Sequence, residues 1–479
     1  MIRLTIFAWL FLCHGVVLAE DAAEAEWQSV ITGLRPANAF KDDPTWSLEE
    51  RMAHYGVPGV GIAVIKDRKV IWHEVVGLAD RQTGAPVTRD TLFQAGSISK
   101  PVSAYGALKM VEAGQLSLDG SVNALLETWK IPENDFTRAT PVSLTHLTSH
   151  SGGLTVHGFP GYAVGAPVPS LVEVLDGQSP ANTPAIFVDQ MPGTSMRYSG
   201  GGYTVMQQLM IDVGEAEFPP LMEALVFAPL AMRHSTFAQP LPPALLKTAA
   251  AGVLPDGTDV AGKRHTYPEM AAAGLWTTAY DLAIFAADVQ QALEGRGEVL
   301  SKAMATAMLE QVATGYGRGF ALATRGGHSY FEHGGWDQGF CAQLTASRDA
   351  GVGVAVMINS NHPAFLSEVV NAVAATYEWP GYETLEQQPM PTAALADYIG
   401  TYRYNEDVNI TVSASDGRLF MQYPEEAPQE LLHIGDNVFV RREREARITF
   451  TPREDTVDFE FIIDAETRQT HERVGDNGE

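Results

Sequence analysis

Cysteine is scarce in this chain, because only Cys13 and Cys341 among its 479 residues carry a thiol. Cys13 lies in an N-terminal stretch that we expect to be cleaved off, which leaves no pair for an intrachain disulfide. An exported protein without disulfides depends on a large hydrophobic core, and a chain of this length can form two or more domains. Cys341 alternates with apolar neighbours, which predicts a buried strand residue.

Basic residues are also few, at 32 Lys and Arg against 58 Asp and Glu, and the formal net charge is −26. This excess of negative charge opposes binding to nucleic acid or to an anionic membrane surface. Hydrophobic residues make up 45% and charged residues 19%, which is ordinary for a soluble globular enzyme. We therefore expect a small-molecule substrate and no nucleic-acid partner, and the oligomeric state stays open.

Long apolar runs are missing too. The run from Leu4 to Leu12, with Thr5 inside it, is shorter than the ~20 residues that span a bilayer. Arg3 before it and Val17-Leu18-Ala19 after it complete the pattern of a cleavable signal peptide over residues 1–19. An uncleaved anchor helix is the alternative, which the shortness of the run disfavours. The pattern predicts a periplasmic or secreted protein without stable membrane insertion after cleavage.

Strand-like runs occur at both ends of the predicted first domain, residues 20–382. Val60 to Ile65 and Val70 to Val76 form an early predicted hairpin, and Phe340 to Ala346 and Val352 to Ile358 form a late one. The sequence between the hairpins is mostly helical or irregular. This order predicts an α+β fold, in which both ends of the domain close one antiparallel sheet that carries packed helices and a helical lobe.

The composition and pattern of the sequence change after residue 382. Residues 383–391 have the composition of a linker. Short strand-like runs then follow one another over residues 392–470, separated by turn signals such as Asp416-Gly417. This spacing predicts a second, small all-β domain, either a barrel or a sandwich.

The stretch Ser97-Ile98-Ser99-Lys100 places a hydroxyl and an amine one helical turn apart. Residues i and i+3 of a helix share a face, so Lys100 can accept the proton of Ser97 and activate it as a nucleophile. Apolar residues recur on one face from Val102 onward, and Pro101 is tolerated in a first turn, which places the helix start near Ser97. Such a tetrapeptide also arises by chance, so its meaning depends on what accompanies it.

Two further elements follow in order. Tyr198-Ser199-Gly200 supplies a phenol that can share a proton with Lys100, although a plain core or surface tyrosine is the alternative for this position alone. His333-Gly334-Gly335 precedes Trp336 at a strand, and paired glycines there indicate close approach of a backbone or a ligand. The backbone N–H groups of Ser97 and Trp336 are the predicted oxyanion donors.

In this order the three elements resemble the active-site motifs of the serine β-lactamase and penicillin-binding-protein superfamily. The class C β-lactamase-like branch is the most similar, with its D-aminopeptidases, D-alanyl-D-alanine carboxypeptidases and family VIII esterases. The resemblance covers roughly residues 47–361 and includes the segments Leu144 to Leu154 and Gly274 to Thr278. It implies a β-lactamase/transpeptidase-like fold followed by a lipocalin-like C-terminal domain, of the kind often appended to these enzymes.

The resemblance also implies that Ser97 is the acylated nucleophile, Lys100 its base partner and Tyr198 the tyrosine of the Tyr-x-Asn element. His333-Gly334-Gly335 stands where many relatives have Lys-Thr-Gly, and Gly200 stands where the element has Asn. Both departures weaken the case for an efficient β-lactamase, because the amide is missing and a histidine is neutral or only partly charged near neutral pH.

These features predict a serine hydrolase that cleaves ester or amide bonds through a Ser97 acyl-enzyme, and weak β-lactamase activity is compatible with them. The alternative is a penicillin-binding-like sensor or pseudoenzyme that acylates slowly or only binds. His146 and His150 have metal-ligand spacing, but no third ligand accompanies them, so we expect neither a metal nor a cofactor. An α/β-hydrolase is disfavoured because no Gly-x-Ser-x-Gly motif occurs.

Overall fold

The computed structural model describes residues 24–390, 395–404, 408–442, 444–452, 457–462 and 468–475. The predicted signal peptide, residues 1–19, lies outside these ranges. Within them, no helix combines the length and the apolar character that a membrane crossing requires.

Residues 24–382 contain both strands and helices. The strands are β1 (Gly59–Lys66), β2 (Lys69–Asp80), β3 (Ala85–Pro86), β4 (Phe93–Gln94), β5 (Tyr162–Ala163), β6 (His265–Thr266), β7 (Trp276–Thr277), β8 (Ala321–Arg325), β9 (His328–Asp337), β10 (Phe340–Ser347) and β11 (Gly353–Ile358). The helices are α1 (24–32), α2 (Leu48–Tyr55), α3 (Ser99–Glu112), α4 (Asp135–Ala139), α5 (Leu144–Thr148), α6 (Leu171–Asp176), α7 (Gly200–Gly214), α8 (Phe218–Met222), α9 (Ala228–Leu230), α10 (Met270–Ala273), α11 (Ala279–Leu293), α12 (Lys302–Met308) and α13 (Pro363–Thr376).

Seven of these strands form one antiparallel sheet in the order β3-β2-β1-β11-β10-β9-β8. The central pair is β1 with β11, where Val60 lies opposite Ile358, so the early and the late hairpin meet in the middle of the sheet. The early hairpin turns at Asp67 and Arg68, which both have positive φ, as in two-residue turns that match strand twist. The predicted α+β fold, with one sheet closed by both ends of the domain, is confirmed.

Helices cover both faces of this sheet. Ala63 and Ile65 of β1 face a large core that includes residues of α3, α7 and α11, which we call the inner core. Ile62 and Val64 face a second core, the outer core, which includes residues of α2 and α13. Because both faces are covered, β1 is buried at every position except its last, which explains its unbroken apolar sequence.

A second sheet follows the helix α14 (Leu395–Tyr398). Its strands are β12 (Gly400–Arg403), β13 (Asn409–Ser415), β14 (Arg418–Gln422), β15 (Gln429–Gly435), β16 (Val438–Arg441), β17 (Arg444–Pro452), β18 (Val457–Ile462), β19 (Arg468–His471) and β20 (Arg473–Gly475). They run in the order β19-β18-β17-β16-β15-β14-β13-β12-β20, and the last strand returns to β12. The sheet is therefore a nearly closed antiparallel barrel, which confirms the predicted all-β domain. Aromatic side chains such as Tyr402, Phe439 and Phe459 fill its interior.

The predicted linker is held against both units. The Leu385 N–H donates to the carbonyl of Ala39 at 2.8 Å, and the Gln388 N–H donates to the carbonyl of His433 at 2.9 Å. Phe40 of the first unit packs with Val440 of the barrel in a small separate core. Close to these contacts, Asn371 of α13 donates to the carbonyls of Pro36 at 2.6 Å and Ala37 at 2.9 Å.

Candidate active site

Ser97 lies in a tight 3₁₀ turn, Gly96–Ile98, that leads directly into α3. The hydroxyl of Ser99 accepts from the Leu275 N–H at 3.0 Å and donates to the Gly96 carbonyl at 2.6 Å, which ties the turn to the chain before β7. Gly96 has a φ of +51°. The turn therefore holds Ser97 half-buried at the start of a helix, where the sequence placed it.

Lys100 is buried beside this turn, with 2% of its surface exposed. Its Nζ lies 3.0 Å from Ser97 Oγ and 2.8 Å from the carbonyl oxygen of Ala272 in α10. The same Nζ lies 4.9 Å from the centre of the Tyr198 ring. A buried amine fixed by two hydrogen bonds, one of them to the hydroxyl, is placed to exchange a proton with Ser97.

Tyr198 stands just before α7, whose N-terminus is capped by the side chain of Ser199. The Ser199 N–H donates to His150 Nδ1 at 3.0 Å, and the His150 ring lies 4.2 Å from the Tyr198 ring between centroids. The His157 ring lies 4.9 Å from the same tyrosine ring. Two imidazoles therefore fix the plane of Tyr198 above Lys100.

The histidines nearest to Lys100 are uncharged at neutral pH. Burial, and after it the charge of Lys100, lowers the pKa of His333 to about 3. The same two causes, in the same order, hold the pKa of His150 well below its usual value. His333 Nδ1 lies 2.6 Å from the Gly334 carbonyl oxygen and so carries the proton of the neutral ring. These rings shape the site without adding charge to it.

The strand β9 passes directly beside the Gly96–Ile98 turn. A Cβ at Gly335 would lie 2.0 Å from the Ala95 carbonyl oxygen, and a Cβ at Gly96 would lie 2.4 Å from the Trp336 backbone nitrogen. Only glycine allows this approach, because real Cβ atoms do not come so close to backbone atoms. The Trp336 N–H thereby lies next to the Ser97 turn, as an oxyanion donor must.

The β9–β10 turn, which follows Trp336 closely, is anchored by Asn361. Its Oδ1 accepts from the Gly339 N–H at 2.7 Å, and its Nδ2 donates to the carbonyls of Asp337 at 2.8 Å and Phe340 at 3.0 Å. The Tyr267 hydroxyl accepts from the Gln338 N–H at 2.9 Å. These bonds fix the turn, and with it the position of the Trp336 N–H.

A cavity of about 460 Å³ joins most of the predicted site. The predicted residues that line it are Ser97, Tyr198, His333, Gly334, Gly335 and Trp336. Lys100 lies beneath Ser97. Gly200 is not among the lining residues, because it begins α7 with its N–H bonded to the His157 carbonyl at 3.0 Å. A Cβ there would lie 2.9 Å from the Phe159 ring, so Phe159 occupies the space of a longer side chain.

Two residues of the site received no role in its chemistry from the sequence. His150 packs against Tyr198, whereas the sequence marked it only as one of two histidines at metal-ligand spacing and as part of the segment Leu144 to Leu154. Tyr316 lines the cavity with its ring 4.8 Å from that of His150, and no pattern in the sequence marks it. Among the described residues, no group of three potential ligands is arranged to hold a metal ion.

A larger cavity, of about 750 Å³, lies between β2 and the start of α11. Two ion pairs lie in its lining, Arg89 with Glu74 at 2.8 Å and His234 with Asp90 at 3.4 Å. It contains none of the residues around Ser97. The smaller cavity is the candidate active site, because Ser97 lines it and Lys100 lies directly beneath Ser97.

The fold is that of the serine hydrolase superfamily that contains β-lactamases and penicillin-binding proteins. The chain belongs to the Beta-lactamase family, whose sequence model matches residues 47–377. A second family model, described as a domain of unknown function (DUF3471), matches residues 384–473.

Among similar proteins, penicillin-binding protein 4 of Amycolatopsis lactamdurans is 28% identical over 327 residues, which are 64% of this chain and 82% of that protein. Esterase EstB of Burkholderia gladioli is 29% identical over 196 residues, 38% of this chain and 48% of the esterase. The chain thus spans about half the length of the esterase. The octameric penicillin-binding protein homologue from Pyrococcus abyssi superposes with a TM-score of 0.59 at 20% identity, over 89% of this chain and 98% of that one.

Proposed function

We propose that this protein is a serine hydrolase that cleaves ester or amide bonds through an acyl-enzyme on Ser97. The observation that carries the proposal is the 3.0 Å contact between Lys100 Nζ and Ser97 Oγ, with the Tyr198 ring 4.9 Å from the same Nζ. A hydroxyl, an amine and a phenol in this arrangement supply the nucleophile and both proton carriers of acyl transfer.

In this mechanism Ser97 Oγ attacks the substrate carbonyl and passes its proton to Lys100. The backbone N–H groups of Ser97 and Trp336 bind the developing oxyanion, and each such donor is typically worth ~10²–10³ in rate. Tyr198 returns the proton to the departing oxygen or nitrogen, so that the bond to the leaving group breaks as a neutral alcohol or amine forms. Water then releases the acyl group by the same steps in reverse.

The lining of the cavity favours uncharged substrates. None of its described lining residues is Lys, Arg, Asp or Glu, and His333 is neutral because its pKa is about 3. A substrate carboxylate would find no cation at the position where many relatives carry lysine. Phe159 fills the space behind Gly200, where an Asn side chain would be needed to contact an acylamino group. We therefore propose that simple esters and amides are turned over faster than β-lactams.

A second candidate is a penicillin-binding-like protein that acylates and then turns over slowly. The similarity to penicillin-binding protein 4, which covers 82% of that protein, favours it. The two candidates share acylation of Ser97 and differ in the rate at which water reaches the acyl-enzyme.

The experiment is hydrolysis of p-nitrophenyl acetate and nitrocefin by the full chain, beside Ser97→Ala and the exposed control Ser195→Ala. We expect steady turnover of the ester by wild type and Ser195→Ala, none by Ser97→Ala, and slow turnover of nitrocefin. A burst followed by a stalled acetyl-enzyme, seen by mass spectrometry, would favour the second candidate. The absence of both ester turnover and Ser97 labelling in wild type would exclude both candidates.

We also propose that the protein works in the periplasm or outside the cell and takes a small-molecule ester, peptide or β-lactam-like substrate. The signal-like pattern of residues 1–19 and the net charge of −26 support this proposal. N-terminal sequencing of the protein from its native host tests it, and a retained Arg3 would contradict cleavage.

A further inference from the structure

The cavity around Ser97 extends across β9 to the opposite face of the sheet. Besides the site residues on the inner side, its lining includes Gln343 of β10 and Pro363, Leu366 and Ser367 of α13. α13 packs on the outer core, whereas Ser97 begins a helix of the inner core. One continuous cavity therefore touches both faces of the sheet.

The strand register shows which residue of β9 faces which side. Trp336 lies opposite Cys341, which belongs to the outer core, and Gly334 lies opposite Gln343 on the same face. His333 lies opposite Leu344, which belongs to the inner core. Because side chains alternate along a strand, Trp336 and Gly334 face α13, while His333 and Gly335 face the nucleophile.

The edge of β9 is open where the cavity crosses it. The neighbouring strand β8 pairs with β9 only up to Glu332, so the strand from His333 onward has no described strand on that side. A Cβ at Gly334 would meet nothing closer than Gln343 Oε1, at 3.4 Å. A substrate can therefore pass over Gly334 from one face to the other.

The outer part of the cavity is mostly apolar and carries no charged side chain. We call it the outer groove and define it by Gly334, Trp336, Gln343, Pro363 and Leu366. The Trp336 side chain is 51% exposed although most of the large apolar side chains of this unit are buried. An indole exposed beside a proline and a leucine offers a flat surface to a hydrophobic or aromatic group.

The direction of proton transfer decides which end of the substrate lies in the outer groove. Tyr198 protonates the leaving group, so the leaving group lies on the side of the site where Tyr198 and His333 face each other, with ring centroids 6.2 Å apart. His333 is followed at once by Gly334, which opens to the outer groove. A leaving group next to His333 therefore continues over Gly334 towards Trp336.

We infer that the outer groove binds the leaving-group half of the substrate, and that this half is a bulky, uncharged, apolar or aromatic alcohol or amine. The inference rests on the proposed function, because it needs an acyl transfer at Ser97. In the acylation step the bond from the carbonyl carbon to Ser97 Oγ forms and the bond to the leaving oxygen or nitrogen breaks. The proton of Ser97 moves through Lys100 and Tyr198 to that atom, and the neutral product leaves along Trp336.

The test compares 1-naphthyl acetate with ethyl acetate, which share one acyl group, on wild type, Trp336→Ala and Gly334→Val. Phe136→Ala, which removes an aromatic side chain 37% exposed on α4, is the matched control. We expect the ratio of kcat/KM for the naphthyl over the ethyl ester to fall about tenfold in the first two variants, as expected for losing roughly 50–60 Å² of apolar contact. The ratio in the control should equal that of wild type.

Two further measurements separate the possible failures. If Trp336→Ala instead changes the ratio between ethyl butyrate and ethyl acetate, the groove holds the acyl half and the inference is overturned. Binding of 1-naphthol to Ser97→Ala, measured by calorimetry, needs no catalysis. If wild type shows no esterase activity but 1-naphthol binds and Trp336→Ala abolishes that binding, the groove is retained and the proposed function is rejected. Ester hydrolysis with an unchanged ratio and no naphthol binding would reject the groove alone.

Discussion

Glu269 is a buried carboxyl whose ionisation makes stability depend on pH. It precedes α10, the helix whose Ala272 carbonyl binds Lys100, and none of its surface is exposed. Neither of its carboxyl oxygens has a hydrogen-bond partner in the described part of the chain. Burial raises its pKa from 4.5 to about 8. The folded protein therefore keeps Glu269 protonated at pH values where the unfolded chain has already released the proton.

The sign and the size of the effect follow from this difference. Well below pH 4.5 both states hold the proton, and Glu269 adds no pH dependence to the free energy of unfolding. As the pH rises towards 8, the unfolded state is increasingly favoured. At about 1.36 kcal/mol per pH unit, the 2.5 units between 4.5 and 7 correspond to a loss of about 3 kcal/mol. Glu269→Gln has no proton to lose, so its free energy of unfolding should lack this decline.

The assay is urea unfolding of the full chain, followed by tryptophan fluorescence at several pH values from 4.5 to 8. All eight tryptophans precede residue 392, so the signal reports on the first unit and not on the barrel. We expect the difference between Glu269→Gln and wild type to grow by about 3 kcal/mol from pH 4.5 to pH 7. A constant cost of the amide cancels in this comparison. Glu133→Gln, at an exposed position, is the control. Parallel curves for Glu269→Gln and wild type would refute the reasoning.

Three further predictions concern the site. Tyr198→Phe should reduce ester turnover by ~10²–10⁴ while leaving the melting temperature unchanged, and a near-normal kcat would remove its role in proton transfer. Gly335→Ala should lower both the urea midpoint and the turnover, because its Cβ would lie 2.0 Å from the Ala95 carbonyl oxygen; Gly334→Ala, whose Cβ has room, should keep the wild-type midpoint. Equal midpoints for both variants would contradict the close approach. Asn361→Leu should destabilise the first unit by about 2 kcal/mol or more, because the N–H and C=O groups of the β9–β10 turn lose their hydrogen-bond partner. An unchanged urea midpoint would argue against that anchor.

Much of what was predicted correctly depends on the spacing of residues close together in the sequence. The three-residue interval between Ser97 and Lys100 is a property of one helical turn, and the structure brings their side chains to 3.0 Å. The hairpin at Asp67 and Arg68 is equally local, because turn geometry fixes the register of its own two strands. The short strands and turn signals after residue 392 were also sufficient to predict a β domain.

Contacts between distant segments could not be derived in the same way. Gly200 is one example. Only the packing of Phe159 reveals that the space next to Gly200, where a longer side chain would lie, is filled. The neutrality of His333 is another example, because its pKa of about 3 depends on burial among residues from several segments. Tyr316 enters the site without any mark in the sequence.

The sequence by itself determined which groups are available for chemistry and that Ser97 and Lys100 share a helical face, because neighbours along a chain have few relative positions. Only the tertiary structure decided that the Trp336 N–H meets the Gly96–Ile98 turn, that His333 is neutral, and that the cavity continues over Gly334 to α13. Those properties arise where β9 packs against the start of α3, and burial and close approach exist only once distant segments have been brought together.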